Sequence, residues 1–386
     1  MKVFQLLTTL SFGDAVSNDT LAINDLLKER GFETKIYMEH IDPRLANHPD
    51  VMSCGKMPKP KKDDIMLYHL STGSNLNLLI RDVDCRKFIV YHNTTPPHFF
   101  APYSGRSAQL CSNGINETKL INDIFEGGFC DSAHNRDMLW EYGYKCPLKV
   151  RPILIPFEDY MKRPDRDVML EMGGSPKKNN HKVKNVLFVG RIAPNKKQED
   201  LISMLYAYRQ MYSDPIRLIL VGNPGGMEKY DAKLKNYAQE LGIDDVVFTG
   251  HISFPAILAY YRTADAFVSM SEHEGFCVPL VEAMQFDVPI LAYASTAVPE
   301  TLGDCGIVFD DKDPAYVAAQ LHEVLHNEEL RATMIEEQRE RLKYFGYDNV
   351  SSMFIQQLEE LTGIKAPNGP SVDSQETKAK KIKKFF

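Results

Sequence analysis

The chain has 386 residues, of which 44% are hydrophobic and 25% are charged, a balance typical of soluble globular proteins. This length exceeds what one ordinary core accommodates and indicates two domains of roughly 150–200 residues each, while the net charge of −7 argues against non-specific nucleic-acid binding as the main role. The seven cysteines are widely spread and form no Cys-x-x-Cys pair, which argues against a zinc ribbon or a redox dithiol and favours a reducing compartment.

The first half of the chain alternates short apolar runs with helical patterns. Lys2–Leu7 is predicted to be a strand and not a signal peptide, because it is short and lacks a small-residue cleavage site. Gly13 opens the turn into a helix over about residues 15–30. Further apolar runs follow at residues 34–37, 64–70 and 87–92, and the half closes near residues 151–157. Such runs between helices are typical of a parallel sheet covered on both faces, and none reaches the roughly 20 residues that cross a bilayer.

A segment of different composition separates this half from a second alternation. Residues 159–184 are rich in charge, glycine, proline and asparagine, which is typical of an exposed linker. Strands are then predicted at residues 185–190, 216–222, 246–249, 266–269, 290–293 and 307–309, and helices at about 198–211, 228–241, 314–327 and 329–343. The sequence therefore predicts an α/β protein with two tandem Rossmann-like, doubly wound domains. Ligands are expected in the interdomain cleft, at the carboxyl ends of the strands.

The C-terminal segment differs again. Residues 363–376 are polar and contain two prolines, and residues 377–386 read TKAKKIKKFF. Its basic charge and terminal aromatic rings suggest peripheral contact of Lys378–Phe386 with an anionic membrane surface. The simpler interpretation, which we favour, is a disordered and solvated tail.

The segment SEHEGFCVPLVE, residues 271–282, carries the clearest chemical signal. Glu274 and Glu282 stand eight positions apart, joined by a glycine turn and an apolar helix start. The glycine brings backbone N–H groups close to a ligand, Pro279 suits the first helical position, and a free helix N-terminus suits a diphosphate. The alternative is that two glutamates merely bracket a surface helix. The predicted donor-binding residues of this turn are Glu274, Gly275, Phe276, Cys277 and Glu282.

Two cations follow the predicted strand NVLFVG. Arg191 and Lys196 lie in the sequence RIAPNK, so both are expected at the same end of the sheet. Cations in this position can neutralise a leaving diphosphate as its charge develops in the transition state. The alternative is that they are ordinary surface charges of a strand-to-helix loop. We predict that both bind the donor and take part in catalysis.

Two sites of the first half complete the prediction. His92 ends the strand KFIVYH, where it can hydrogen-bond a donor sugar hydroxyl or handle a proton, although a lone histidine is more often a structural partner. The first strand-to-helix loop contributes Gly13, Asp14 and Asn18 as acceptor-side residues. Plain helix capping by Asp14 or Asn18 is an equal alternative.

With these residues in place, the chain resembles the retaining glycosyltransferases of family 4, glycosyl transferase group 1, which have the two-domain GT-B fold. The similarity runs over most of residues 1–362 and is most specific at the E-x7-E element and at VGRIAPNKK. The resemblance implies that Glu274 contacts the donor sugar and Glu282 the ribose. It further implies that Arg191 and Lys196 bind the donor phosphates, that His92 lies beside the donor sugar, and that Gly13 and Asp14 line the acceptor side.

The resemblance also implies a domain plan. An acceptor-side domain is expected over residues 1–157, a linker over 158–183, a nucleotide-sugar domain over 184–345, a helix crossing back to the first domain over 346–362, and the tail over 363–386. The segment CDSAHNRDMLWEYGY, beginning at Cys130, resembles the family's exit from a buried strand. Two positions depart from the family pattern: the first loop reads GDAVSND and lacks a doubled glycine, and Cys277 replaces a small or apolar residue.

The implied reaction moves a sugar from a nucleoside-diphosphate sugar to a hydroxyl of a saccharide or lipid-linked saccharide, with retention at the anomeric carbon. The resemblance favours a front-face path in which the departing phosphate helps to deprotonate the acceptor. No cofactor and no metal ion are expected, because Arg191 and Lys196 can supply the positive charge that a metal ion would otherwise provide to the diphosphate. We expect a cytoplasmic enzyme of cell-surface polysaccharide or glycoconjugate synthesis, at the inner face of the membrane if the tail binds there.

Two other functions remain open. One is a nucleotide-sugar epimerase or hydrolase on the same architecture, since a fold does not fix a reaction. The other is a non-catalytic subunit that binds a sugar nucleotide. The combined presence of both glutamates, both cations and His92 disfavours the second.

Overall fold

The computed structural model describes residues 1–173 and 183–367. The first sheet has seven parallel strands in the order β3-β2-β1-β4-β5-β6-β7. Its strands are β1 Lys2–Leu10, β2 Glu33–Ile41, β3 Val51–Ser53, β4 Ile65–Leu70, β5 Arg86–Tyr91, β6 Gly127–Cys130 and β7 Leu148–Val150. Its helices are α1 Ala15–Glu29, α2 Asn75–Leu79, α3 Pro97–Phe100, α4 Gly105–Leu120 and α5 Ala133–Glu141.

The second sheet has six parallel strands in the order β10-β9-β8-β11-β12-β13. Its strands are β8 Lys184–Val189, β9 Ile216–Val221, β10 Val246–Gly250, β11 Ala266–Ser269, β12 Ile290–Tyr293 and β13 Ile307–Phe309. The remaining helices are α6 Arg166–Glu171, α7 Gln198–Met211, α8 Glu228–Glu240, α9 Phe254–Thr263, α10 Val278–Gln285, α11 Val298–Leu302, α12 Pro314–His326, α13 Glu328–Phe345 and α14 Tyr347–Thr362.

Both sheets are doubly wound, so the predicted fold class is confirmed. Chain order reverses between β1 and β4 in the first sheet and between β8 and β11 in the second. The continuous apolar runs are buried on both faces, and all six residues of β4 are inaccessible to solvent. At each reversal the loops after the two neighbouring strands run to opposite faces of the sheet. A crevice therefore forms between these loops, at the carboxyl ends of the strands. Of the helices in the described ranges, none is long and apolar enough to cross a membrane.

The segment between the sheets is more ordered than its composition predicts. Residues 157–161 form a short 3-10 helix, and α6 follows with Asp165 as its N-cap. Tyr160 is buried in the core of the second sheet, and Arg262 on α9 donates to its carbonyl at 3.1 Å. An exposed linker over the whole of 158–183 is therefore wrong for the part up to residue 173, because apolar side chains there have a core to pack against. Residues 174–182 lie outside the described part.

Helix α14 packs on the first sheet although it follows the second. Phe354 lies 5.0 Å, ring centre to ring centre, from Phe129 on β6. Gln357 donates to the Val150 carbonyl at 3.0 Å, and Arg86 donates to the Thr362 carbonyl at 2.8 Å. Of the tail that the sequence separates at residue 363, only residues up to 367 are described, so the basic segment Lys378–Phe386 lies outside the described residues.

A fully buried ion pair fixes the centre of the first half. Arg151 donates to Asp19 on α1 through two nitrogens, at 2.9 and 2.5 Å, and both side chains are inaccessible to solvent. Leu154 N–H also donates to Asp19, at 2.8 Å, and the guanidinium lies over the Phe354 ring. Burial opposes ionisation, but the Arg151 charge and hydrogen bonds outweigh it and lower the pKa of Asp19. The pair thus joins α1, the exit of β7 and α14.

We predict that Arg151→Met lowers the free energy of unfolding by about 3–5 kcal/mol, because it leaves the buried Asp19 charge without a partner. Urea unfolding followed by circular dichroism measures the change. Arg81→Met is the matched control, since it removes the exposed partner of Asp123 and should leave the unfolding midpoint unchanged. Equal effects of the two substitutions would contradict the prediction.

Candidate active site

A cavity of about 150 Å³ lies between the carboxyl ends of the two sheets. Residues that follow β5 line one wall, and residues that follow β8 and β11 line the other. The lining residues are His92, Asn93, Thr95, Phe100, Arg191, Ala193, Asn195, Lys196, His273, Glu274 and Gly275. Four predicted site side chains therefore meet here: His92, Arg191, Lys196 and Glu274.

Lys196 and Glu274 form an ion pair across the crevice of the second sheet. The Lys196 ammonium donates to both Glu274 oxygens at 2.6 Å, and the side chains are 20% and 8% exposed. Thr296 fixes the Glu274 backbone, since its hydroxyl accepts from the Glu274 N–H at 2.8 Å and donates to the carbonyl at 2.9 Å. Burial alone would lower the pKa of Lys196, but the charge and hydrogen bonds of Glu274, acting with the nearby Cys277, together outweigh burial and raise it. The cavity thus holds a compensated pair of opposite charges.

Arg191 is the more exposed cation of the cavity. It follows β8, and its guanidinium donates to the Gly225 carbonyl, beyond β9, at 3.1 Å. Among the described residues no carboxylate forms a salt bridge with Arg191, although the Glu228 carboxylate is close enough for the Arg191 charge to contribute to its lowered pKa. Its charge is therefore available at the wall where Lys196 is already paired.

Gly275 lies directly against the first half of the protein. A Cβ atom at this position would lie 2.8 Å from the His92 carbonyl oxygen and 2.9 Å from the Asn93 Cβ. Both distances are shorter than real Cβ contacts, so only glycine fits between these loops without a shift. The sequence analysis assigned this glycine to ligand approach, whereas its observed neighbour is the other half of the protein.

Phe276 and Cys277 do not line the cavity with their side chains. Both are buried in the core of the second half, and Phe276 packs on Phe345 with ring centres 5.7 Å apart. Cys277 has the left-handed backbone conformation, with φ of 74°, and stands before the first residue of α10 without a capping side chain. Packing of these side chains in the core leaves their backbone N–H groups as the groups that can contact a donor, so donor binding by this turn stays a prediction.

Glu282 also lies away from the cavity. It is the fifth residue of α10, and its two oxygens accept hydrogen bonds from Tyr160 at 2.7 Å and from Tyr261 at 2.6 Å. Burial raises the pKa of Glu282 although both hydroxyls oppose this. Glu282, the predicted ribose-binding residue, therefore already accepts hydrogen bonds from two tyrosine hydroxyls. Neither tyrosine was identified from the sequence.

His92 belongs to a buried chain of polar side chains in the first half. Its Nδ1 lies 2.7 Å from Asp131 Oδ2, and its Nε2 lies 3.0 Å from His69 Nδ1. His69 Nε2 in turn lies 3.0 Å from Gln5 Oε1. The two imidazole rings are stacked, with centres 5.3 Å apart and planes 7° from parallel.

This geometry favours a charged His92 beside a neutral His69. The carboxylate of Asp131 accepts from His92 Nδ1, and the Gln5 oxygen accepts from His69 Nε2, so His69 Nδ1 is left to accept from His92 Nε2. Burial lowers the pKa of His92, but the charge and hydrogen bond of Asp131, together with the charge of Asp19, outweigh burial and raise it. Burial and the neighbouring His92 lower the pKa of His69 well below its usual value. His92 therefore has both nitrogens engaged.

The predicted acceptor-side residues lie at the start of α1 and outside the cavity lining. Asp14 is the N-cap, and its carboxylate accepts from the Ser17 N–H at 3.1 Å, so the capping alternative holds for this residue. Gly13 precedes it with φ of 79°, and Asn18 is exposed on the helix. The neighbouring Ala15 packs against the core of the second half, which places this loop close to that half.

Polar contacts also join the two walls of the cavity. Asn93, with a left-handed φ of 75°, has its Oδ1 3.1 Å from His273 Nε2. Glu300 accepts from the Ala133 N–H, at the start of α5, at 2.7 Å. Burial lowers the pKa of His273 to about 4, so its imidazole is neutral and donates to Asn93. Neither Asn93 nor His273 was identified as a site residue from the sequence, because no motif or spacing pattern links the two positions.

Comparisons with known proteins identify a family and several relatives that this chain resembles. Residues 175–341 match the family described as "Glycosyl transferases group 1". The chain is 28% identical over 192 residues to the D-inositol 3-phosphate glycosyltransferase of Corynebacterium efficiens, which covers 48% of this chain and 45% of that protein. It is 26% identical over 172 residues to the O-antigen chain mannosyltransferase B of Escherichia coli, with 44% of each chain covered. The chain thus spans less than half the length of these curated relatives.

Solved structures resemble the whole described fold. HepE of Anabaena, in complex with UDP-glucose, superposes with a TM-score of 0.71 at 15% identity and covers 93% of this chain and all of that one. The sucrose-phosphate synthase of Thermosynechococcus elongatus superposes with a TM-score of 0.70 at 17% identity, covering 94% and 100%. At this identity the likeness concerns the fold alone, and it confirms the GT-B architecture of two parallel-sheet domains.

We predict that Asp131→Asn lowers the pKa of His92, because a neutral amide does not offset the cost of burying the imidazolium. The folded pKa of His92 is raised above the unfolded value of about 6.5. The stabilisation due to Asp131 is therefore complete below about pH 6.5 and is lost as the pH rises through the folded pKa. Urea unfolding of both proteins over this range, with histidine nitrogen NMR, measures the effect.

Asp137→Asn, an exposed substitution on α5, which begins two residues after Asp131, is the control and should show no pH-dependent difference. A gap between Asp131→Asn and the unsubstituted protein that stays constant with pH would contradict a charged His92.

Proposed function

We propose that this chain is a retaining glycosyltransferase of family 4 that moves a sugar from a nucleoside-diphosphate sugar to a hydroxyl acceptor. The observation that carries the proposal is the meeting of Arg191, Lys196 and Glu274 in a cavity between two doubly wound sheets. Cations for a diphosphate and a carboxylate for sugar hydroxyls are the groups that such a donor requires. The family match of residues 175–341 supports this assignment.

In this mechanism the donor replaces the ion pair between Lys196 and Glu274. The diphosphate takes Lys196 and Arg191 as its counter-charges, and Glu274 is then free to accept hydrogen bonds from the donor sugar. The N-terminal turn of α10, which has no side-chain cap, adds N–H groups and the positive end of its dipole. As the bond to the anomeric carbon breaks, these groups stabilise the charge that develops on the leaving phosphate.

His92 has an electrostatic role in this proposal. Both of its nitrogens are engaged by Asp131 and His69, and its side chain is 1% exposed, so it is not placed to take a proton from the acceptor. Its positive charge lies on the first-half wall, across from Glu274. The departing phosphate oxygen, on the same face of the sugar as the acceptor, is the group that we propose to receive the acceptor's proton.

We propose that the two halves move apart to admit the donor. The cavity of about 150 Å³ is smaller than the roughly 300–1,000 Å³ of typical small-molecule sites. The contacts of Gly275 with the His92 loop and of His273 with Asn93 hold its two walls together. Re-forming these contacts around the donor would exclude water and limit futile hydrolysis.

The names of similar proteins suggest which donors and acceptors to propose for this chain. The names of two curated relatives refer to mannose, one of them to GDP-mannose, and a solved neighbour holds UDP-glucose, so UDP- and GDP-hexoses are the first donors to test. The acceptor is proposed to be a saccharide or a lipid-linked saccharide in cell-surface polysaccharide or glycoconjugate synthesis. A cytoplasmic location and membrane contact through Lys378–Phe386 remain predictions.

An epimerase or hydrolase is the second candidate, because the same cavity would bind the same donor. Product analysis with and without saccharide acceptors distinguishes the three activities, since only a transferase yields a new glycoside and an epimerase needs no acceptor. Donor binding with no turnover under any of these conditions would instead support a non-catalytic binding subunit.

We predict that Glu274→Gln lowers turnover by about 100-fold or more, because the amide loses the charge that pairs with Lys196 and holds the sugar hydroxyls. Turnover is measured as nucleoside diphosphate released and glycoside formed from a panel of UDP- and GDP-hexoses. Glu272→Gln is the matched control: it lies in the same loop but pairs with Lys312 and Lys197, outside the cavity lining. Unchanged turnover in Glu274→Gln would remove the assignment of this site.

We also predict that turnover does not depend on a divalent metal ion. Arg191 and Lys196 supply two positive charges where the diphosphate is proposed to bind, so the leaving group is neutralised without a metal. The initial rate should be the same after treatment with EDTA and after Mg²⁺ or Mn²⁺ is restored. Loss of the rate with EDTA and its recovery with either ion would contradict the prediction.

A further inference from the structure

Two histidines on α12 face one aspartate, far along the chain from the candidate active site. His322 and His326 are four residues apart, so they lie on the same face of the helix. Asp214 stands in the loop that leads into β9. Its Oδ2 lies 3.5 Å from His322 Nδ1 and 3.1 Å from His326 Nε2. One carboxylate oxygen and two imidazole nitrogens thus converge, and all three lie within 4.8 Å of one another.

These separations match those of ligands around a zinc ion. Tetrahedral zinc holds nitrogen and oxygen ligands at about 2.0–2.1 Å, which places neighbouring ligand atoms about 3.3 Å apart. The two distances to Asp214 lie on either side of this value. Two imidazoles and a carboxylate are a common ligand set for zinc, and the half-exposed position leaves room for water as a fourth ligand.

We propose that Asp214, His322 and His326 form a binding site for a divalent transition-metal ion, with Zn²⁺ as the expected occupant. The ion would join the C-terminal end of α12 to the loop before β9 and so stabilise the second sheet. It would take no part in the reaction at the cavity, whose lining residues include none of these three. The proposal does not depend on the function of the chain.

The surrounding residues hold the ligands in place before any ion binds. The Tyr212 ring stacks on His322, with centres 3.7 Å apart and planes 3° from parallel. The buried Tyr208 hydroxyl lies 3.0 Å from His322 Nδ1 and 3.5 Å from Asp214 Oδ2. When His322 binds a metal through Nδ1, this hydroxyl is left to Asp214 and becomes the outer partner of that ligand.

The other cluster of this kind in the described residues lacks free ligand atoms. Asp19, His69 and His92 also lie within 4.8 Å of one another, and all are buried. However, Arg151 occupies both Asp19 oxygens, and Asp131 and His69 engage the two nitrogens of His92. A buried guanidinium beside the ligands also opposes a second positive charge. Metal binding is therefore assigned to the cluster of Asp214, His322 and His326, and not to that of Asp19, His69 and His92.

Calorimetric titration of the full chain with Zn²⁺, after removal of metals by EDTA, tests the proposal. We expect one ion per chain and a higher melting temperature with Zn²⁺ present, since the ion binds the folded state. Co²⁺ in the same site should give the visible absorption of a four-coordinate ion with nitrogen and oxygen ligands. His326→Ala and Asp214→Asn should each weaken Zn²⁺ binding by about tenfold or more and remove the absorption.

His251→Ala is the matched control, because His251 is an exposed histidine of the same half that belongs to no such cluster. It should bind Zn²⁺ as the unsubstituted chain does. Because His326 is itself exposed, its substitution should leave the metal-free melting temperature unchanged. Absence of binding to the unsubstituted chain, or binding that survives both His326→Ala and Asp214→Asn, would overturn the proposal.

Discussion

The close approach of two loops at Gly275 is the constraint on which the candidate active site depends. The loop after β11 meets the loop after β5 so tightly that a single added carbon would overlap the His92 carbonyl. This contact sets the second-half residues Lys196 and Glu274 opposite the first-half residue His92. The hydrogen bonds of His273 with Asn93 and of Glu300 with the Ala133 N–H act in the same direction, so the crevices at the two sheet reversals share one cavity.

Buried charge is handled in two different ways in this molecule. In the first half, Asp19 and Arg151 are sealed from solvent and joined by two hydrogen bonds, with a third from the Leu154 N–H to Asp19, so they act as fixed structure. In the cavity, Lys196 and Glu274 pair with each other beside a more exposed Arg191. A ligand of matching charge can take the place of each partner in such a pair. Its charges then offset the cost of keeping the ammonium and the carboxylate away from water.

The sequence predicted the elements with continuous signals and missed those that depend on distant neighbours. The helix predicted over residues 198–211 is α7 with the same bounds, because its buried face repeats regularly along the helix. The strand β6 reads GGFC and has no apolar run, since a side chain at Gly128 would overlap Ile89 of the adjacent strand. Helix α4 was missed because only Gly114 and Thr118 are buried on it.

The same distinction holds for the site. The four predicted residues that meet in the cavity all follow strands. Because the carboxyl ends of parallel strands lie at one edge of a sheet, this rule was enough to predict that they lie close together. The hydrogen bonds of Glu282 with two tyrosines were not predictable in this way. Neither tyrosine follows a strand, and their sequence separations of 122 and 21 residues from Glu282 carry no periodic signal.

One of those tyrosines stands on the chain segment that connects the two sheets. Tyr160 belongs to residues 157–161, and its hydroxyl reaches a carboxylate of the second half. Tyr160 is itself buried in the core of the second half, so this hydrogen bond fixes the end of the connecting segment to that half. Glu282, which was predicted only to bind a ribose, therefore also anchors the connection between the two sheets.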